Sequence, residues 1–367
     1  EPVSIPAVIG RDEPRAGRGH AVLPGAGRGS TNPVLAGSAA LAAGPGYRCL
    51  IPLVDDKATP DDLALLLGAA ASEARISLAG ADVVAAVECV SEPQARRAML
   101  TRLAEAMLDG CGVSALAVVS APGAATTGHP VTRELDHVLV LDGGWRAWRC
   151  VPIIDALPAA PQSLVLPAGG HAMIDALAAS LATAAPGAFG RASGLGEVAK
   201  LRAVAKLFVK HAALGPAARK PASSATVRIT RPDGGTARLP SRLLADAAQP
   251  SIDPALVLGP VPRSVKGTPL ALGWARGVAG LVTSVTQAVG EPDAVLIVGG
   301  CAALPGLGDI IGAETTRVVV ADNPASAAWR GAAAWASHNT SLLQWLTHSS
   351  YGGDAGALDR WTRSAWV

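Results

Sequence analysis

The chain has 367 residues, half of them hydrophobic and 16% charged, with a formal net charge of +2. That balance excludes a largely disordered chain, and the length allows one large or two medium domains. Charge this close to neutral gives no indication of nucleic-acid binding, and no uninterrupted apolar run reaches the roughly 18 residues of a membrane-spanning segment. The composition is skewed: 41 Gly, 28 Pro and eight Trp, but only two Phe and two Tyr. Only six of the basic residues are Lys and twenty-five are Arg. A nucleotide-composition bias accounts for the Ala, Gly and Arg enrichment, so alanine-rich runs carry little information. The tryptophans do not fit that explanation.

Cys49, Cys89, Cys111, Cys150 and Cys301 are widely spaced and contain no Cys-x-x-Cys pair. Free thiols in a reducing compartment are expected, with neither a zinc site nor a disulfide framework. The chain starts at Glu1 and shows no secretory leader. A cytoplasmic location is therefore expected, with an organellar (mitochondrial) one after leader removal as the alternative.

In chain order, Val3–Ile9 reads as a short strand and 11–48 as a Gly-, Arg- and Pro-rich excursion. Asp55-Asp56 and Asp61-Asp62 suit a helix start and read as solvated caps. Ser91 with Gln94 has capping-box spacing, and Ala95, Met99, Leu103 and Met107 place an apolar stripe on the helix that follows, up to Asp109-Gly110. Leu116–Val119 and Val138–Leu141 read as strands. The second turns through Asp142-Gly143-Gly144 and returns along Trp148–Ile153. Leu195–Ala212 has helical periodicity, Thr226–Thr230 and Thr236–Leu239 flank a Pro-Asp-Gly-Gly turn, and Ala275–Val289 repeats at helical spacing. A buried-type strand Val295–Val298, a Gly299-Gly300 turn and a helix near Pro305 follow. A strand Arg317–Val320 and a helix around Trp329–Ser337 close this half. The order predicts an α/β protein with partly parallel sheets.

Two turns are candidates for chemistry. Gly299-Gly300 follows a strand and precedes a helix, which suits close backbone approach or an anion, although the same pattern serves plain structure. Asp142-Gly143-Gly144 could hold a phosphate on its amides or form a type I′ hairpin turn. Trp145, Arg146 and Trp148 are bulky where a phosphate cradle needs small residues, so Trp145 and Trp148 are expected to fill that cleft. The seven His form no metal-ligand spacing, and neither a nucleophile elbow nor a Walker motif occurs. Trp345, Trp361 and Trp366 near the C-terminus suit either a docking surface or internal packing.

Taken in order, these segments resemble the actin and actin-related protein family, strongly diverged. Val3–Arg11 is similar to the family's V-x-F-P-S-I-V-G-R strand, and Ser91–Arg97 to its N-P-x-x-N-R-E helix start. Leu139–Pro152 resembles the I-V-L-D-S-G-D-G-V-T hairpin. Pro232-Asp233-Gly234 and Gln249-Pro250-Ser251 resemble the L-P-D-G and F-Q-P-S elements. Val295–Ile311 is similar to V-L-S-G-G-x-x-x-x-P-G, Trp329–Ala332 to W-x-G-G, and Leu342–Gly356 to the terminal segment.

The resemblance implies the actin/Hsp70/sugar-kinase fold, with two related α/β domains around a nucleotide cleft. The first would comprise 1–127 and 331–367, with 11–48 as a reduced, loop-rich subdomain, and the second 128–330. It would put Asp142, Gly144, Gly299 and Gly300 at a vestigial nucleotide cleft. The family's first phosphate loop would fall upstream of Glu1, Trp145-Arg146 replaces the second loop's acidic element, and Val119 or Ser120 takes the place of the catalytic-water glutamine. The residues bordering the base would be Val204-Ala205. These departures imply a pseudoenzyme without ATP turnover or a required cofactor, acting as a structural, cytoskeletal subunit among other protein subunits, without self-polymerisation. The alternative is a nucleotide-binding actin-related protein with its phosphate loop upstream. A sugar- or acetate-kinase relative would need an acidic base beside a phosphate loop, and no such pair is found. If the first hairpin is missing, Val3–Ile9 would be a sheet edge open to a partner's strand.

Overall fold

The computed structural model describes residues 9–12, 35–36, 47–50, 59–90, 92–184, 226–230, 236–315, 317–354 and 356–364. In chain order these form β1 (Ile9–Asp12), β2 (Leu35–Ala36), β3 (Tyr47–Leu50), α1 (Pro60–Ala74), β4 (Asp82–Val87) and α2 (Pro93–Ala104). Then come β5 (Ala115–Ser120), α3 (Ala121–Gly128), β6 (His137–Gly143), β7 (Trp148–Ile154), β8 (Leu157–Pro158), β9 (Leu164–Leu166) and α4 (Gly170–Ala184). Further along come β10 (Thr226–Thr230), β11 (Thr236–Pro240), α5 (Ser241–Ala248), α6 (Leu270–Val289), β12 (Ala294–Val298), α7 (Leu307–Gly312), β13 (Val318–Val320), α8 (Ala327–Asn339), β14 (Leu346–Thr347) and α9 (Ala357–Ser364), with short helical turns between them. The chain is an α/β protein with mixed sheets. No helix among the described residues is long and apolar enough to cross a membrane.

Contacts divide the chain into two compact units. The first holds 1–85, 92–118 and 343–365, and the second 86–91, 119–342 and 366–367. In the first unit β1 lies between β2 and β3, antiparallel to both. Ile9 is paired with Ala36 on one side and Leu50 on the other. Of the expected edge strand Val3–Ile9 only Ile9 is described, and it is paired on both sides within the chain; Val3–Val8 lies outside the described residues. The strands at 35–36 and 47–50 also give the 11–48 excursion more regular structure than its Gly and Pro content predicts.

Helix α1 opens with a capping box. The Thr59 hydroxyl accepts from the Asp62 amide, and the Asp62 carboxylate accepts from the Thr59 amide at 2.8 Å. Asp62 is therefore buried rather than a solvated cap, and Asp55-Asp56 lies outside the described residues. Glu92, not Ser91, caps α2, with its carboxylate accepting from the Gln94 and Ala95 amides and Pro93 at the first helical position. Met99, Leu103 and Met107 are buried as expected, with Leu100 and Ala104 beside them, while Ala95 is exposed.

The second unit is organised on one mixed sheet in the order β13-β12-β6-β7-β8, with β9 also on β7. Strands β13, β12 and β6 are parallel, whereas β6 and β7 form the expected antiparallel hairpin. Alternation along these strands sends side chains to two apolar clusters. Leu139, Leu141, Trp148, Cys150, Val295 and Ile297 join α6 and α7 residues on one face. Val138, Val140, Val151, Ile153, Leu296 and Val298 join Cys89 and Ala125 on the other. A sheet buried on both faces requires the near-continuous apolar runs that these strands carry. Strands β10 and β11 pair antiparallel in a separate two-stranded sheet; the expected Pro-Asp-Gly-Gly turn between them and the expected helix over Leu195–Ala212 lie outside the described residues. The helical repeat at Ala275–Val289 is kinked at Gly277, whose φ of 59° is non-helical and where the Ser251–Ile252 backbone leaves no room for a side chain.

Helices α3 and α8 cross closely in this unit. A Cβ added at Gly331 would overlap the Ala124 carbonyl, and one at Gly128 would overlap Gly331. Gly331→Leu should therefore destabilise the protein by about 2–3 kcal/mol, measured by urea unfolding. Gly300→Ala, which adds a Cβ in open space, should unfold with the wild type.

Candidate functional site

Because β13, β12 and β6 are parallel, their carboxyl ends fall on one edge of the sheet, the usual position of ligand sites in open α/β sheets. Asp142 and Gly143 end β6, Gly299-Gly300 follows β12, and Ala321–Asn323 follows β13. The four residues expected at a cleft, Asp142, Gly144, Gly299 and Gly300, are thus brought together within the second unit. Asp142 and Val298 are partners in the parallel register, and a Cβ at Gly299 would overlap the Asp142 carboxylate and lie 2.6 Å from the Gly143 carbonyl. Gly299 adopts φ 88°, so both its conformation and its contact exclude a side chain. Gly300 meets no such limit.

The turn lies two residues beyond the expected one. Asp142 and Gly143 are strand residues, and the reversal runs from Gly144 to Ala147, closed by Gly144 N–H donating to the Ala147 carbonyl at 3.0 Å. Positive φ, which a type I′ turn needs at its two central residues, does not occur at Trp145 or Arg146. The tip is fixed by the start of α4. Gly170 N–H donates to the Gly144 carbonyl at 3.0 Å, and His171 N–H to the Trp145 carbonyl at 2.8 Å. Gly299 N–H donates to the Pro324 carbonyl at 2.8 Å. The amides of Gly144 and Gly299 are thus both engaged within the chain.

Two residues that sequence reasoning missed complete the site. Arg149 stands directly opposite Asp142 in the hairpin register, and its guanidinium is paired with Glu88. Their side chains are only 18% and 28% exposed, so the pair is neither freely solvated nor fully buried. Asp142 and Arg149 continue the alternation of Val140 and Val151, placing the charges at the end of the cluster that includes Cys89. Arg149 was detectable from the register once the turn was known to span Gly144–Ala147. Glu88 carries no local signal, because only the fold brings it to the hairpin. Burial raises the Asp142 pKa above 3.8; the Arg149 guanidinium opposes this and the Glu88 charge adds to it.

The tryptophans divide differently from expectation. Trp148 is fully buried on the opposite face of the sheet from Asp142, in the core cluster with Cys150 and Cys301, and does not lie in the expected cleft. A Cβ at Gly143 would overlap its ring, and its Nε1 is buried with no hydrogen-bond partner. Trp145 is 49% exposed at the tip, tilted against His171 with ring centroids 6.5 Å apart. Trp361, expected as a docking residue, is 4% exposed, and its Nε1 donates to the Gln344 carbonyl at 2.9 Å. It is an internal anchor of α9. Trp345 is half-buried, and Trp366 lies outside the described residues.

Val119 and Ser120 are both buried, and the Ser120 hydroxyl caps α3 by accepting from Gly123 N–H at 3.3 Å. Val204-Ala205 lies outside the described residues. Among the described residues no group of three or more His, Cys, Asp or Glu could hold a metal ion. In comparison with known proteins, no protein-family model and no curated protein matches the chain. The class defined by the fold is therefore α/β with mixed sheets, and the site is defined by its own geometry.

Two predictions follow from the electrostatics. A carboxyl whose pKa is higher in the folded than in the unfolded chain binds a proton on folding, so its contribution to stability falls as pH rises from about 3.8 through the raised folded value. Asp142→Asn should therefore gain melting temperature relative to wild type as pH rises through that window, and the two should converge below it. Burial also pushes the Cys150 and Cys301 thiols up to about 12. Mass-spectrometric mapping of thiol labelling at mildly alkaline pH should find Cys111, which is half-buried, modified in the native protein. Cys150 and Cys301 should be modified only on unfolding.

Proposed function

We propose that this chain is a non-catalytic, actin-like structural subunit of a larger multiprotein assembly. The observation that carries the reading is the committed state of the crest at the carboxyl ends of β6 and β12. Its acidic residue lies against Gly299 and opposite an arginine that is itself paired, and the Gly144 and Gly299 amides donate within the chain. Phosphoryl transfer depends on positioned metal, charge and water. A carboxylate enclosed in this way is poorly placed to position a metal-bound water, and amides already donating cannot cradle a phosphate.

The actin-like part of the reading is supported by where the resembling segments fall. The Leu139–Pro152 segment is a hairpin of the mixed sheet, Val295–Ile311 is a strand, glycine turn and helix beside it, and Gln249-Pro250-Ser251 packs at the Gly277 kink. A cytoskeletal setting in the cytoplasm, or an organellar one, goes with this reading. Size-exclusion chromatography with light scattering across salt and nucleotide conditions should give one discrete species. Gentle affinity purification of the full chain should recover a fixed set of other subunits in constant proportion. Nucleotide-driven filaments, or a chain recovered alone at every stage, would contradict the proposal.

A further inference from the structure

We propose that Arg149 is the resident counter-cation of the sheet's carboxyl-end crest, a built-in positive charge that holds Asp142 and Glu88 together where they would otherwise repel. This goes beyond the functional reading and does not depend on the resemblance to actin, since it rests on the hairpin register and the ion pair.

Three features fix the role. First, Asp142 cannot turn away, because it ends a buried strand between Val298 on one side and Arg149 on the other, with Gly299 packed on its carboxylate. Second, the Arg149 guanidinium is ion-paired with Glu88, which comes from the 86–91 segment of the same unit, and the neighbouring Cys89 is buried in the cluster beneath. Third, the stem of Arg149 leaves β7 on the face lined by Val151 and Ile153, so its charge is delivered from a rigid strand rather than a loop. Two carboxylates brought together in partly buried surroundings repel strongly unless a cation lies between them. A planar guanidinium, permanently charged, can meet both.

Removing the arginine charge would leave Asp142, which faces it, and Glu88, which pairs with it, as uncompensated acids, an arrangement to which a small divalent cation can be drawn. Arg149→Met keeps much of the apolar stem and removes the charge. Its melting temperature should fall by about 5 °C, and millimolar Ca2+ or Mg2+ should recover most of the loss. The same additions should leave wild type unmoved. Arg149→Lys should fall in between, having charge without the fork. A triple variant, Glu88→Gln, Asp142→Asn and Arg149→Met, removes all three charges; it should melt near wild type and ignore divalent cations. If Arg149→Met does not fold while the triple variant does, the counter-charge role is supported by that contrast alone. The proposal is overturned if Arg149→Met melts with wild type, if wild type and variant respond equally to divalent cations, or if the triple variant is as unstable as the single one. That last result would make the Arg149 stem, not its charge, the important part.

Discussion

The second unit depends on one arrangement: a carboxylate at the end of a parallel strand, enclosed by a glycine and faced by an arginine. Parallel pairing of β12 with β6 puts Asp142 beside Val298, and the chain leaving β12 must then pass over the carboxylate. Only a residue without Cβ and with positive φ can do this, which accounts for Gly299. Charge at that position is costly because of burial, as the raised pKa of Asp142 reflects. The hairpin register answers the cost by placing Arg149 directly opposite, and Glu88 draws the 86–91 segment into the same group.

The same hairpin separates two kinds of residue on its two faces. On one face Trp148 fills the core over Gly143 and beside Cys301. On the other are the charges. Because alternation along a strand is strict, a one-residue slip would move the tryptophan toward the charges and the arginine into the core. The hydrogen bonds from Gly170 and His171 to the turn carbonyls hold the reversal in place and oppose such a slip. Packing and electrostatics therefore specify the same register.

Much of this was legible in the sequence, for identifiable reasons. Apolar runs such as Val138–Leu141 and Val295–Val298 are long enough and sharply enough bounded by glycine to be read as buried strands. Capping residues were legible as a type but not as a position, since the cap of α2 falls on Glu92, whose carboxylate takes the Gln94 and Ala95 amides. The turn was misplaced by two residues because Asp-Gly-Gly has a stronger local preference for turns than Gly-Trp-Arg-Ala, and the tertiary contacts of Gly143 override it. Tryptophan content alone could not distinguish an anchor from an exposed tip. Trp148 and Trp361 are buried and Trp145 is exposed, although Trp145 and Trp148 lie three positions apart. Glu88 was invisible because its partner is reached only through the fold.

The central claim is that the Gly144 and Gly299 amides and the Arg149 guanidinium of this crest are engaged by the chain itself. Isothermal titration of the purified, folded protein with Mg2+-ATP tests it most directly. The account predicts no saturable heat beyond dilution. A saturable one-site isotherm, abolished by Asp142→Asn or by a bulky residue at Gly300, would contradict it and would establish a working nucleotide site at the carboxyl ends of β6 and β12.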